Sequence, residues 1–180
     1  KEAASNLKIS TINYFKELQT KIDVMGNTVI NNINSIIKPH EKVIIFSPHP
    51  DDDVIGMGGT MQLLKHKQNV TIVYMTSGKG GLPAHLPEDT REKEATLAVR
   101  TLGYEKSQVI FLNLPFYKNK KIVSIEDYKV IEKLYRDINP SHVFVCGDHD
   151  PNGTHKKCFD VIYNTEQYSQ SHIVNYWIYK

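Results

Sequence analysis

Lys42-Val43-Ile44-Ile45-Phe46-Ser47-Pro48-His49-Pro50-Asp51-Asp52-Asp53 is the stretch that decides the fold. Its first half is a short apolar, β-branched run, the pattern of a strand buried on both faces. Behind the stretch, Val54 to Leu64 reads as the glycine-softened start of a helix that reaches about Lys67. One imidazole and three carboxylates therefore stand on a strand-to-helix turn, at the carboxyl end of a strand. Open α/β sheets hold their ligands there. Adjacent carboxylates repel one another unless a cation sits among them, which points to a divalent metal. The plainer alternative is a cluster of helix-capping aspartates.

Outward from this stretch the pattern alternates. Val70–Met75, Val109–Leu112, His142–Cys146 and Ile173–Tyr179 read as strands. Residues 89–103 and Ile125–Ile138 read as helices, the first with early acidic residues and a terminal glycine, the second stopping before Pro140. Thr154 is expected to cap a helix carrying His155, Cys158 and Ile162. Alternation of this kind predicts an α/β fold, a Rossmann-like three-layer α/β/α sandwich around a mostly parallel sheet. A helical N-terminal segment precedes it. Residues 1–40, apolar at helical spacing and rich in Asn and Lys, form that extension or linker, and 41–180 the α/β domain. The chain starts without a methionine and its last strand runs to Lys180, so continuation beyond both ends is expected.

The bulk properties exclude more than they select. A chain of 180 residues with 40% hydrophobic and 23% charged residues suits one soluble domain. A net charge of +2 gives no electrostatic case for nucleic acid. The one basic run, Lys118-Asn119-Lys120-Lys121, is expected to be a solvated loop. No apolar run reaches the ~20 residues of a membrane span, and no signal-peptide core is visible. Two cysteines, Cys146 and Cys158, lack disulfide-framework or zinc-knuckle spacing. A cytoplasmic setting is the default, and a homo-oligomer is compatible with all of this.

The loops after the first and fourth strands share one sheet edge. The first holds His49, Asp51, Asp52 and Asp53; the second holds Asp148, His149, Asp150 and, just beyond, His155. Imidazole with carboxylate suits Zn²⁺, with Mn²⁺, Fe²⁺ or Co²⁺ as alternatives. An all-oxygen Mg²⁺ site is disfavoured by the two histidines. Arg91 either meets substrate or pairs with Glu94 three residues on. Ser77, Gly78, Gly80 and Gly81 either cradle an anion or make a plain turn.

Pro48-His49-Pro50-Asp51-Asp52-Asp53 after a strand, with Gly58-Gly59-Thr60 behind it, resembles the signature of the PIG-L/LmbE-like zinc de-N-acetylases. Thr76-Ser77-Gly78, Arg91 with Glu94, Leu102-Gly103 and a late histidine follow in the matching order. The resemblance implies His49, Asp52 and His155 as zinc ligands and Asp51 as the general base. It implies substrate contacts from Arg91, Ser77 and Gly78, and an N-acetylated amino sugar or conjugate as the small-molecule partner. The chain departs from the pattern at Asn152, where a histidine that stabilises the oxyanion or protonates the leaving amine is usual. Asparagine donates a hydrogen bond but transfers no proton, so a binding domain with little or no turnover is the alternative reading.

Overall fold

The computed structural model describes residues 33–64, 66–115, 123–147, 153–168 and 174–179. The chain divides into compact units at Ile36/Ile37. Of the first, a single helical turn, Ile33–Ile36, is described. The expectations for residues 1–32, for the basic run at 118–121 and for Asn152 lie outside the described residues.

The second unit is built on five parallel strands in the order β3-β2-β1-β4-β5. These are β1 (Val43–Ser47), β2 (Val70–Tyr74), β3 (Val109–Phe111), β4 (His142–Cys146) and β5 (Asn175–Tyr179). β1 and β4 are buried along their whole length, as their unbroken apolar runs require. β3 is a half-buried edge strand of three residues, shorter than its apolar run suggested. Between the strands lie α1 (Asp52–Leu63), α2 (Thr90–Thr101), α3 (Ile125–Ile138) and α4 (Gly153–Tyr168). α1 contacts β1, α4 contacts β4, and α3 and α4 contact each other. This is the three-layer α/β architecture expected from the sequence.

Local chemistry sets the helix ends. α3 opens on a reciprocal capping box between Ser124 and Asp127 and closes at Asn139, which adopts φ 53° directly before Pro140. α2 closes with Gly103 at φ 88°, while the Tyr104 amide donates back to the Val99 carbonyl at 3.1 Å. Two boundaries differ from expectation. α1 ends at Leu63 rather than near Lys67, and it is kinked at Met57, between Gly56 and Gly58. α4 includes Gly153 as described, so buried Thr154 lies in its first turn rather than ahead of it.

The sheet order reverses between β1 and β4. The chain winds outward through β2 and β3, then crosses back to place β4 and β5 on the other side of β1. The carboxyl ends of β1 and β4 thus flank the crevice that such a reversal creates. At the opposite edge, Trp177 Nε1 donates to His142 Nδ1 at 3.1 Å, and His142 Nε2 lies 3.0 Å from Glu41 Oε2. An indole nitrogen can only donate, so His142 Nδ1 accepts and its Nε2–H donates to Glu41. This buried histidine, without a pattern in the sequence, joins β4 to β5.

Candidate active site

The turn after β1 is held from both sides before any ligand is considered. The Ser47 carbonyl accepts from the Met75 amide at 2.8 Å, and the Pro48 carbonyl accepts from the Thr76 hydroxyl at 2.7 Å. Inside the turn, the Asp53 amide donates to Ser47 Oγ at 3.1 Å. Asp53 is fully buried, and the Tyr74 hydroxyl donates to its Oδ2 at 2.8 Å. Burial lifts the Asp53 carboxyl to about 6, against the hydrogen bonds from Tyr74 and Ser47 that favour its charge. Asp53 is a structural anchor that turns inward while its two neighbours turn outward.

Those neighbours part company. The Asp51 side chain makes no capping bond to α1. Its Oδ2 instead accepts from Arg91 Nη2 at 2.9 Å, across 40 residues of chain. The guanidinium is thus partnered by Asp51 while staying partly exposed. Asp52 Oδ2 accepts the His49 amide at 2.9 Å and lies 2.9 Å from His49 Nδ1. The same oxygen lies 3.1 Å from His155 Nε2, which is 3.2 Å from His49 Nδ1. Burial alone would raise the Asp52 carboxyl, but hydrogen bonds and charge from His155 and His49 hold it well below the usual carboxylate range. Simple capping does not account for this arrangement, since the Asp51 and Asp52 carboxylates both face side chains.

His49, Asp52 and His155 therefore form a compact triangle of donors with edges of 2.9, 3.1 and 3.2 Å. They make the group of metal-capable side chains found among the described residues. Bonds of about 2.0–2.2 Å from one cation reach three donors so spaced. Two imidazoles with one carboxylate is a catalytic zinc donor set, and equally one for Mn²⁺, Fe²⁺ or Co²⁺. The donors fit such an ion. His155 reaches the triangle because α4 begins just after β4, with its carbonyl 3.4 Å from the Cys146 thiol.

The Thr76-Ser77-Gly78 loop braces the second half of the turn. Gly78 is buried and adopts φ 63°. A Cβ placed there would come within 2.8 Å of Pro50 Cδ and 3.3 Å of Arg91 Nε. Ser77 Oγ accepts the Lys79 amide at 3.4 Å, a local turn contact. Gly78→Ala is expected to cost about 1–3 kcal/mol through left-handed strain alone. It should also move Pro50 and Arg91, so activity should fall further than thermal stability does. Melting by circular dichroism beside steady-state assays would check this; an unchanged thermal midpoint would contradict it.

A sequence model of the PIG-L family, described as GlcNAc-PI de-N-acetylase, matches residues 44–165, more than half of the chain. The chain belongs to the PIG-L family. Its match region spans β1 through most of α4 and includes every donor of the triangle. A Bacteroides thetaiotaomicron protein described as glucosamine-6-phosphate deaminase-like is 32% identical over 70% of this chain and 28% of its own length. The diacetylchitobiose deacetylase of Thermococcus kodakarensis is 30% identical over 56% of this chain and 33% of its own. Among solved structures, N,N'-diacetylchitobiose deacetylase from Pyrococcus horikoshii superposes with a TM-score of 0.65 at 27% identity. That superposition covers 87% of this chain and 60% of the other. The PIG-L chain described here thus spans about a third of the curated relatives it matches. The sequence pointed to His49, Asp51, Asp52 and His155, which the fold brings to one crevice. It gave no sign of Tyr74, nor of what the Ser47 and Thr76 hydroxyls do, though together these three hydroxyls fix the turn.

Proposed function

We propose that this PIG-L chain is a metal-dependent hydrolase that removes the N-acetyl group from an N-acetylglucosamine-type sugar or conjugate, releasing acetate. The observation that carries the reading is the donor triangle His49, Asp52 and His155, with the Asp51 carboxylate on the same turn. His49, Asp52 and His155 would hold the ion, Zn²⁺ by family resemblance, with Mn²⁺, Fe²⁺ or Co²⁺ compatible with the same donors. A bound ion of this kind polarises a carbonyl and lowers the pKa of water to about 7. Asp51 takes the proton of the attacking water and returns it to the departing nitrogen. The water oxygen bonds to the acetyl carbon, the carbon–nitrogen bond breaks, and acetate and a free amine result.

Arg91 holds the Asp51 carboxylate in place through its 2.9 Å hydrogen bond until substrate arrives, and then offers its guanidinium to sugar hydroxyls or a phosphate. Ser77 and Gly78 would add substrate contacts beside it, as the family resemblance implies. Asn152 supplies a hydrogen bond to developing negative charge. The sugar substrate is supported by the diacetylchitobiose deacetylases among the relatives. None of the described helices is long and apolar enough to cross a membrane. We place the protein in the cytoplasm, with residues 1–40 as a helical extension ahead of a deacetylase-like domain at 41–180.

The test is acetate release from free, phosphorylated and oligomeric N-acetylglucosamine, with metal content measured on the same preparation. Bound zinc with release from at least one substrate is the expected result. Bound zinc with no release across the panel would favour the binding-domain reading that Asn152 suggests.

A further inference from the structure

The β1–β4 ladder stops early. Its register runs from Val43 opposite His142 to Ile45 opposite Phe144. On either side the sheet continues: β1 stays paired with β2 as far as Ser47, and β4 with β5 as far as Cys146 opposite Tyr179. Carbonyls along a strand alternate sides. The Ser47 carbonyl faces β2, where it accepts the Met75 amide, so the Phe46 carbonyl faces β4. There the ladder has ended, and a buried carbonyl would lack its acceptor bond. The Tyr179 hydroxyl fills that place, donating to Phe46 O at 2.6 Å across 133 residues. Tyr179 is 8% exposed, and its own carbonyl accepts the Gly147 amide at 3.0 Å.

We infer that Tyr179 is a positioning residue for the site: by bridging from β5 to β1 over the parted ladder, it sets the width of the crevice. The spacing of the His49–Asp52 pair and His155 follows from that width. Phe46 leads directly into Ser47-Pro48-His49, while Cys146, the strand partner of Tyr179, reaches the His155 carbonyl through its thiol. Both arms of the triangle are thus referred to one hydroxyl. The inference rests on the metal reading above for its consequence, though not for its geometry.

Tyr179→Phe removes the hydroxyl and keeps the ring. Tyr104→Phe is the matched control, because the buried Tyr104 hydroxyl donates to Met61 O at 2.9 Å, at the far end of α1 from the ligand turn. Metal-free protein is titrated with Zn²⁺ or Co²⁺ alone, and backbone amide exchange is followed without metal. Both variants should lose some stability. Tyr179→Phe alone should lose on the order of 10–100-fold in metal affinity, as removal of outer support for ligands does. It alone should exchange faster at the amides of Ser47, His49, Asp51, Asp52, Asp53, Gly147 and His155. Parent-like affinity and exchange in Tyr179→Phe, or equal losses in Tyr104→Phe, would overturn the inference. If the parent itself binds neither ion, the metal reading fails, and the exchange pattern alone decides the role of Tyr179.

Discussion

Asp51→Asn is expected to lower acetate release by on the order of 10²–10⁴-fold, the usual contribution of a positioned general base. Metal content should stay at the parent value, because Asp51 stands outside the His49–Asp52–His155 triangle. Stability should change little as well. The Asp51–Arg91 pair is partly exposed, with 38% and 27% of the two side chains accessible, and such pairs contribute about 0–1 kcal/mol. Asparagine keeps the shape and can still accept from Arg91, but it cannot take a proton from water. The combination of full metal loading, a parent-like melt and lost turnover is what separates a base from a ligand. Turnover within tenfold of the parent would remove Asp51 from the mechanism. Loss of metal along with activity would instead move Asp51 into the ligand set.

His155→Ala should have an effect of the opposite kind, abolishing both metal retention and activity. Two of the three donors come from one turn, His49 and Asp52, and share a single carboxylate oxygen with the amide of His49. Without His155 they form a two-ligand remnant too weak to retain an ion through dialysis. A ligand that binds only the native state stabilises it by about 4 kcal/mol at 1,000 times its Kd. The parent should therefore melt at a higher temperature in zinc than in chelator, and His155→Ala should melt at one temperature in both. Metal analysis with paired melts provides the check. A variant that retains stoichiometric zinc would show that the third donor lies elsewhere.

The order of strands and helices was legible because buried parallel strands leave unbroken apolar runs, as in Val43–Phe46 and Val143–Cys146. The ligand turn was legible because its residue types are unusual and close together. Arg91 was harder: its helix position left substrate and Glu94 as equal alternatives, and the packing of the α2 start beside Pro50 and Gly78 directs it to Asp51. By residue type alone Asp53 matches Asp51 and Asp52, and only the family resemblance left it without a part in ligation or catalysis. The backbone of the first helical turn separates them, sending Asp53 into the core against Ser47 and Tyr74. Tyr179 read simply as strand packing. Its hydroxyl acquires meaning from where a neighbouring ladder stops, and register between strands is not written in either strand alone. α1 stops at Leu63 because Leu64 turns to extended backbone, a boundary that local propensity does not fix.

Trp177 is the chain's single tryptophan. Its indole is hydrogen-bonded to His142 and stacked near Phe144, at a centroid distance of 6.0 Å. Intrinsic emission excited at the indole band is therefore a private channel onto the β4–β5 seam. It will register that seam opening, and with it the strand that carries Tyr179. It has no direct view of α1 or α2. An unfolding curve recorded by fluorescence and one recorded by far-ultraviolet dichroism thus interrogate different parts of this molecule. Any gap between the two would measure how independently the edge strand comes away.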